Sequence, residues 1–346
     1  MTTVSGILLI DKPAGITSHD AVSRTRKAAG TRKVGHAGTL DPMATGLLVL
    51  GINSATRLLT YVVGLDKEYF ATIRLGAATS TDDQEGEETF RGDAATIAAI
   101  TTAEVLAEIA VLTGDIEQTP STVSAIKVDG KRAYALVRAG ETVVLASRRV
   151  TVAEFELLGE PILSDGFLDV AVRVSCSSGT YIRALARDIG LALGVGGHLT
   201  ALRRTRIGPF SVSDAATLTD LDVPANLQHP AAVAQQLFRA VAVDQSQALE
   251  LSQGKRIELE ADLAVGGVLP HSSHGAVSPN PELGPFAAIS PSGRLVGLIE
   301  IKAGRTRTLV NFPPDDATNQ SGTEPVPAPE EVPAPEEASA PEEGTS

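Results

Sequence analysis

Tryptophan is absent from this 346-residue chain, cysteine occurs once, and aromatic residues make up only 3% of it. A single cysteine, Cys176, excludes an intramolecular disulfide and a multi-thiolate zinc site. Long apolar runs are missing too. The apolar stretch at residues 7–10 is bracketed by Gly6 and Asp11, far short of the roughly 20 residues that a bilayer-crossing helix needs. Neither secretion nor membrane insertion is expected, and a reduced, cytoplasmic setting fits.

Positive charge is also scarce: 29 Lys and Arg stand against 42 Asp and Glu, a formal net charge of −13. Such a balance argues against a polyanionic partner, because phosphate contacts need cations. Its distribution weakens that objection. Nine of the acids lie in residues 311–346, which hold no Lys or Arg, so the remainder stands at −4. Within that remainder cations cluster, first as Arg24, Arg26, Lys27, Arg32 and Lys33, later as Arg183, Arg187, Arg203, Arg204 and Arg206. A basic face on a mildly acidic body is compatible with nucleic acid, although arginine-rich stretches are also ordinary solvated faces.

Hydrophobic residues at 43% suffice for a sizeable core, and the length exceeds what one core organises. The expected division is a large domain over 1–236, a small Gly-rich and β-rich domain over 237–312, and a disordered Pro/Glu/Ala tail over 313–346, which cannot bury enough apolar surface to offset chain entropy. Residues 6–15 read as a short buried strand ended by a Pro-containing turn. Thr17 and Ser18 are cap candidates for a helix that stops at Gly30. Residues 34–51 read as a Gly-rich loop with a helical turn, followed by a helix from Ser54 to Gly64. Alternation predicts strands over 67–75 and 167–176, and a helix follows over 181–193. Helical patterns cover 94–113 and 131–139, with an Asp129-Gly130 hairpin turn between them. Without a regular βαβ alternation the fold class is α+β, with a mixed, largely antiparallel sheet.

The run from Gly35 to Gly46, Gly-His-Ala-Gly-Thr-Leu-Asp-Pro-Met-Ala-Thr-Gly, sets one carboxylate, Asp41, among glycines and small residues. Two local readings stay open. Asp followed by Pro is the usual pair at a helix start, and a carboxylate on a Gly-rich surface loop is also a catalytic candidate. A triphosphate loop is excluded, since no Gly-Lys-Ser/Thr ending follows.

This run resembles the signature loop of the TruB family of tRNA pseudouridine synthases. The resemblance extends in order through Leu8-Leu-Ile-Asp-Lys-Pro with Thr17-Ser18, the Lys67-x-Tyr segment, Thr81-Asp-Asp, Pro120 to Lys127, Ser178-Gly-Thr-Tyr-Ile-Arg183 and Leu202-Arg-Arg204, covering about residues 6–210. It implies a pseudouridine synthase fold with a PUA-like C-terminal domain. The implied reaction is isomerisation of uridine to pseudouridine at position 55 in the T loop of tRNA, on a flipped-out base. In the family's terms Asp41 is the nucleophile, Arg183 its cationic partner and Tyr69 the ring that stacks on the uracil. His36, Arg57, Asp83, Tyr181, Leu202 and Arg204 are the substrate and RNA-binding positions. No metal or cofactor is expected. The partner implied is the tRNA T-arm stem-loop, engaged by a monomer without guide RNA. An RNA-binding or RNA-folding factor, and a guide-dependent relative within a ribonucleoprotein, are the competing readings.

Overall fold

The computed structural model describes residues 4–121, 146–259 and 285–313, together with the short strands Lys127–Val128, Lys131–Arg132 and Ala264–Val265. Its centre is an 11-stranded mixed sheet. Strand β1 (Gly6–Lys12) pairs antiparallel with β3 (Thr45–Ile52), and β2 (Val34–Ala37) pairs antiparallel with β3 as well. The strand Gly197–Ile207 then lies parallel to β3 and antiparallel to β4 (Lys67–Leu75). Beyond β4 follow Phe167–Cys176, Arg148–Leu157 and Gly114–Gln118, each antiparallel to its neighbour. The α+β class with a largely antiparallel sheet is therefore the observed one, and no helix among the described residues is long and apolar enough to cross a membrane.

Local chemistry explains several elements well. Helix α1 (Ser18–Ala29) starts at a capping box, in which Thr17 accepts from the Asp20 amide and Asp20 accepts from the Thr17 amide, and it stops where Gly30 turns left-handed at φ 62°. Strand β4 buries Lys67, Tyr69, Ala71, Ile73 and Leu75 on one face, as its alternation requires. The helix Ile182–Ala192 covers that face, and Leu185, Ala186 and Ile189 join Tyr69, Ile73, Val172 and Leu199 in one apolar cluster. Gly190 makes the fit possible, since a Cβ there would sit 2.1 Å from the Gly197 amide nitrogen.

Other expectations need correction. Residues 34–51 are not a loop with a helical turn but most of the β2–β3 pair, and the segment 38–44 between the strands contains no helix. Asp41 is therefore no helix cap; its carbonyl accepts only a turn bond from the Ala44 amide at 3.1 Å. The helix expected from Ser54 begins as a 3-10 turn, Asn53–Leu58, before α2 (Leu59–Val63), and Ser54 does not cap it. The pattern at 94–113 splits into Ala94–Ala99 and Thr102–Val111, because Thr101 opens a capping box of its own with Glu104. Strands flank Asp129-Gly130 in antiparallel register, as a hairpin there requires. The helix expected over 131–139 begins as strand at Lys131–Arg132, and its remainder, like the acidic tail, lies outside the described residues.

Towards the C-terminus a five-stranded sheet is built from Arg239–Ala242, Ala264–Val265, Phe286–Ile289, Leu295–Lys302 and Arg305–Asn311. Ala287, Leu298 and Phe312 share an apolar cluster with Ile7, Leu58 and Val62, and Phe238 meets Tyr61 edge to face at 5.1 Å.

Candidate active site

The segment between β2 and β3 is held at three residues, Leu40, Pro42 and Gly38, by partners distant in sequence. Ser18 Oγ, at the start of α1, accepts from the Leu40 amide at 2.9 Å and donates to the Leu40 carbonyl at 3.1 Å. Lys12 Nζ and the Gly15 amide both donate to the Pro42 carbonyl, at 3.2 and 2.9 Å. Arg204 Nη2 donates to the Gly38 carbonyl at 2.9 Å and Nε to the Leu47 carbonyl at 2.8 Å. Where the segment re-enters the sheet, Gly46 adopts φ 102° and lies so close to the next strand that a Cβ would come within 2.2 Å of the Arg204 carbonyl oxygen. Asp41 is thus presented by a braced turn.

Arg183, in the first turn of the helix Ile182–Ala192, reaches across to it. Its Nε lies 3.1 Å from Asp41 Oδ2 and its Nη2 donates to Oδ1 at 3.2 Å. Its Nη1 turns the other way, to the Thr81 carbonyl at 2.8 Å and Asp83 Oδ2 at 3.1 Å. Asp83, itself buried, also accepts from the Thr81 hydroxyl at 2.6 Å and the Glu85 amide at 3.0 Å. One guanidinium, 6% exposed, therefore ties a buried structural carboxylate to a second one that is 34% exposed. Burial pushes the Asp41 carboxyl above its ordinary value, Arg183 pulls it back, and Asp83 adds to the upward shift. Burial and a neighbouring cation thus act on its ionisation in opposite directions.

Asp41 opens on a concavity of about 270 Å³ lined by Tyr69, Lys67, Tyr181, Arg183, Leu202 and Arg204, among others. Tyr69 is buried on β4, its phenol pushed upward by burial and pulled back by the neighbouring Arg204. Tyr181 is fixed by its backbone: Gln118 accepts from its amide at 2.7 Å and donates to its carbonyl at 3.0 Å. Lys67 donates to the Val63 and Leu65 carbonyls, and burial lowers its pKa to about 8. Burial likewise lowers Lys12 to about 8, with Asp41 opposing the shift.

Six of the nine expected positions, Asp41, Tyr69, Tyr181, Arg183, Leu202 and Arg204, line this concavity, and Asp83 supports Arg183 from behind. Arg204 is 1% exposed and spends two donors on backbone carbonyls, so its place is inside the wall. His36 stands on β2 with its ring edge to face against His19, 5.7 Å between centroids, and its buried Nδ1 has no partner among the described residues. Arg57 is elsewhere: exposed on the 3-10 turn, it donates to the Asn311 carbonyl of the C-terminal sheet. Lys12 and Gln118 are site residues that sequence reasoning did not single out. Lys12 carried a signal, a lysine closing an apolar strand before a Pro-Ala-Gly turn, whereas Gln118 carried none.

A family model described as the N-terminal domain of TruB family pseudouridylate synthase matches residues 26–182. A tRNA pseudouridylate synthase B C-terminal domain model matches 183–242, and a tRNA pseudouridine synthase II C-terminal model matches 262–313. The tRNA pseudouridine synthase B of Leifsonia xyli subsp. xyli (strain CTCB07) is 58% identical over 312 residues, covering 90% of this chain and 98% of the relative. That of Arthrobacter sp. (strain FB24) is 51% identical over 314 residues, covering 90% and 98%. Among solved structures, a Cbf5–Nop10–Gar1 complex superimposes with TM-score 0.63 at 26% identity, over 90% of this chain and 86% of the other. An H/ACA RNP bound to a substrate RNA containing 2'-deoxyuridine gives TM-score 0.62 at 24% identity, a likeness of fold.

Proposed function

The chain belongs to the TruB family of pseudouridylate synthases and isomerises uridine to pseudouridine in tRNA, and on that premise we propose that Asp41 is the nucleophile acting on a flipped-out uridine at position 55 of the T loop. The observation that carries this reading is the Asp41–Arg183 pair in the wall of a concavity of about 270 Å³.

Isomerisation breaks the N1–C1' bond, turns the uracil and joins C5 to C1'; C5 loses a proton and N1 gains one. No net oxidation occurs and no cofactor is called for. The reaction needs an ionised carboxylate beside the ribose, held in one orientation, and the two-pronged guanidinium contact supplies that orientation. Tyr69 offers its ring to the displaced base and its hydroxyl to the C5 proton. Leu202 and Tyr181 close the sides, excluding water from the cleaved sugar. His36, at the rim beside His19, contacts the RNA that the flipped nucleotide leaves behind. Arg57 serves RNA only from a distance, next to the C-terminal sheet.

The protein works in the cytoplasm as a monomer without guide RNA. Residues 1–236 form its catalytic domain and 237–312 a PUA-like domain on the acceptor side of tRNA. Purified protein incubated with unmodified tRNA alone tests this. Mass-spectrometric mapping should show pseudouridine at position 55; absence of product until a guide RNA is supplied would refute it.

A further inference from the structure

The strongest unassigned feature is the outer surface of α1 and the turn that follows it. Between Asp20 and Asp41 the chain has no acidic residue, yet it carries Arg24, Arg26, Lys27, Arg32 and Lys33. All five are exposed. Among the described residues Lys27, Arg32 and Lys33 form no ion pair within 4 Å. Like charges held this close repel one another, and Asp20 beside Arg24 offsets this only at the start of the run. Two basic residues in the last turn would satisfy the helix dipole, and Arg26 also donates to the Val34 carbonyl at 3.1 Å. That leaves the charge of Arg32 and Lys33 without an intramolecular use, and Lys27 with no role beyond its place in the last turn.

Their placement is directional. Ser18 fastens the start of α1 to Leu40, beside Asp41, and His19 adjoins His36 at the rim. His19, Ser23, Arg26, Lys27 and Gly30 recur at helical spacing on one side of α1, opposite the buried Ala21, Val22 and Thr25. The stripe ends in an open concavity lined by Ser23, Arg26, Lys27, Gly30, Thr31 and Arg32. At about 1.5 Å per residue, its lining from Ser23 to Gly30 lies roughly 8 to 18 Å along α1 from Ser18, which is fastened to the Asp41 turn.

We propose that this concavity is a phosphate-binding site for the backbone of the substrate RNA, engaging the stem several nucleotides from the flipped uridine. The proposal rests on the reading of the chain as a tRNA-modifying enzyme. Its ligand is the RNA phosphodiester backbone, recognised by charge and shape without base readout. The site anchors the stem while Asp41 acts on the loop.

The test compares wild type with the triple variant Lys27→Gln, Arg32→Gln, Lys33→Gln on unmodified full-length tRNA. KM should rise by roughly tenfold or more with kcat unchanged, and the slope of log affinity against log salt should flatten by about 2 to 3, one unit for each lost phosphate contact. Cutting the T-arm substrate down to the loop and its closing pairs should abolish the difference between the proteins. The charge-keeping variant Lys27→Arg, Arg32→Lys, Lys33→Arg should retain wild-type KM. An unchanged KM and salt slope in the neutralised variant would overturn the proposal, as would a loss confined to kcat or to melting temperature. Inactivity of the wild type itself on tRNA would instead strike the underlying functional reading.

Discussion

Arg183 grips Asp41 with two nitrogens, Nε at 3.1 Å and Nη2 at 3.2 Å, while its third nitrogen is committed to Asp83. A lysine at this position can keep the charge but cannot span both carboxylates. Arg183→Lys should therefore lower kcat on the order of 10²–10³-fold, comparable to losing a preorganised charge contact, with KM close to wild type. Single-turnover tritium release from C5-labelled T-arm RNA measures it. A near-normal rate would show that orientation by Arg183 is not needed.

The acid side of the pH–rate profile should report Asp41. Its folded-state pKa lies above the ordinary 3.8, because burial outweighs Arg183, and the reaction needs the carboxylate. Activity should accordingly fall on acidification around a midpoint above 3.8, and Arg183→Lys should move that midpoint further up. The same shift has a consequence for stability. A carboxyl whose pKa is raised by folding favours the folded state most when protonated, and that advantage is lost as pH rises through the unfolded and then the folded value. At neutral pH Asp41→Asn should leave the melting temperature unchanged or raise it, since Arg183 keeps Asp83 and the Thr81 carbonyl as partners. A clear loss of stability in Asp41→Asn would contradict this sign.

Stacking and proton removal can be separated at Tyr69. Tyr69→Phe keeps the ring and should lower kcat while preserving KM, whereas Tyr69→Leu should impair both. Equal activity of Tyr69→Phe and wild type would assign proton removal to another group.

Arg204 braces the turn that carries Asp41. Arg204→Met should strand the Gly38 and Leu47 carbonyls, each costing about 1–3 kcal/mol, and lower the melting temperature by several degrees in calorimetry. An unchanged melting temperature with weakened tRNA binding would indicate direct contact with RNA instead.

These sites differ in how far sequence alone exposes them. Strand β4 and the start of α1 were legible because their signals are local: alternation places Lys67 and Tyr69 on one face, and Thr17 and Asp20 cap each other. The turn around Asp41 was misread because Asp-Pro and glycines suggest a helix start, while its actual shape is imposed by Arg204, whose backbone lies against Gly46 158 positions earlier. Gly197–Ile207, a central strand, was hidden by its polar run Arg203-Arg204-Thr205-Arg206. Arg203 pairs with Asp11 and Arg204 points into the wall, partners that no local pattern announces. Seven ordered motifs nonetheless named the family, and with it most of the pocket. Arg57 shows the limit of that route: the resemblance counts it among the RNA-binding positions, whereas its guanidinium engages the Asn311 carbonyl.

The central claim is that the Asp41 carboxylate acts on the ribose of a bound uridine. Pseudouridine formation by Asp41→Asn on a T-arm stem-loop, followed alongside its equilibrium affinity for the same RNA, tests it most directly. The account predicts that product is abolished while Kd stays within a small factor of wild type. Continued formation of pseudouridine by this variant would contradict it.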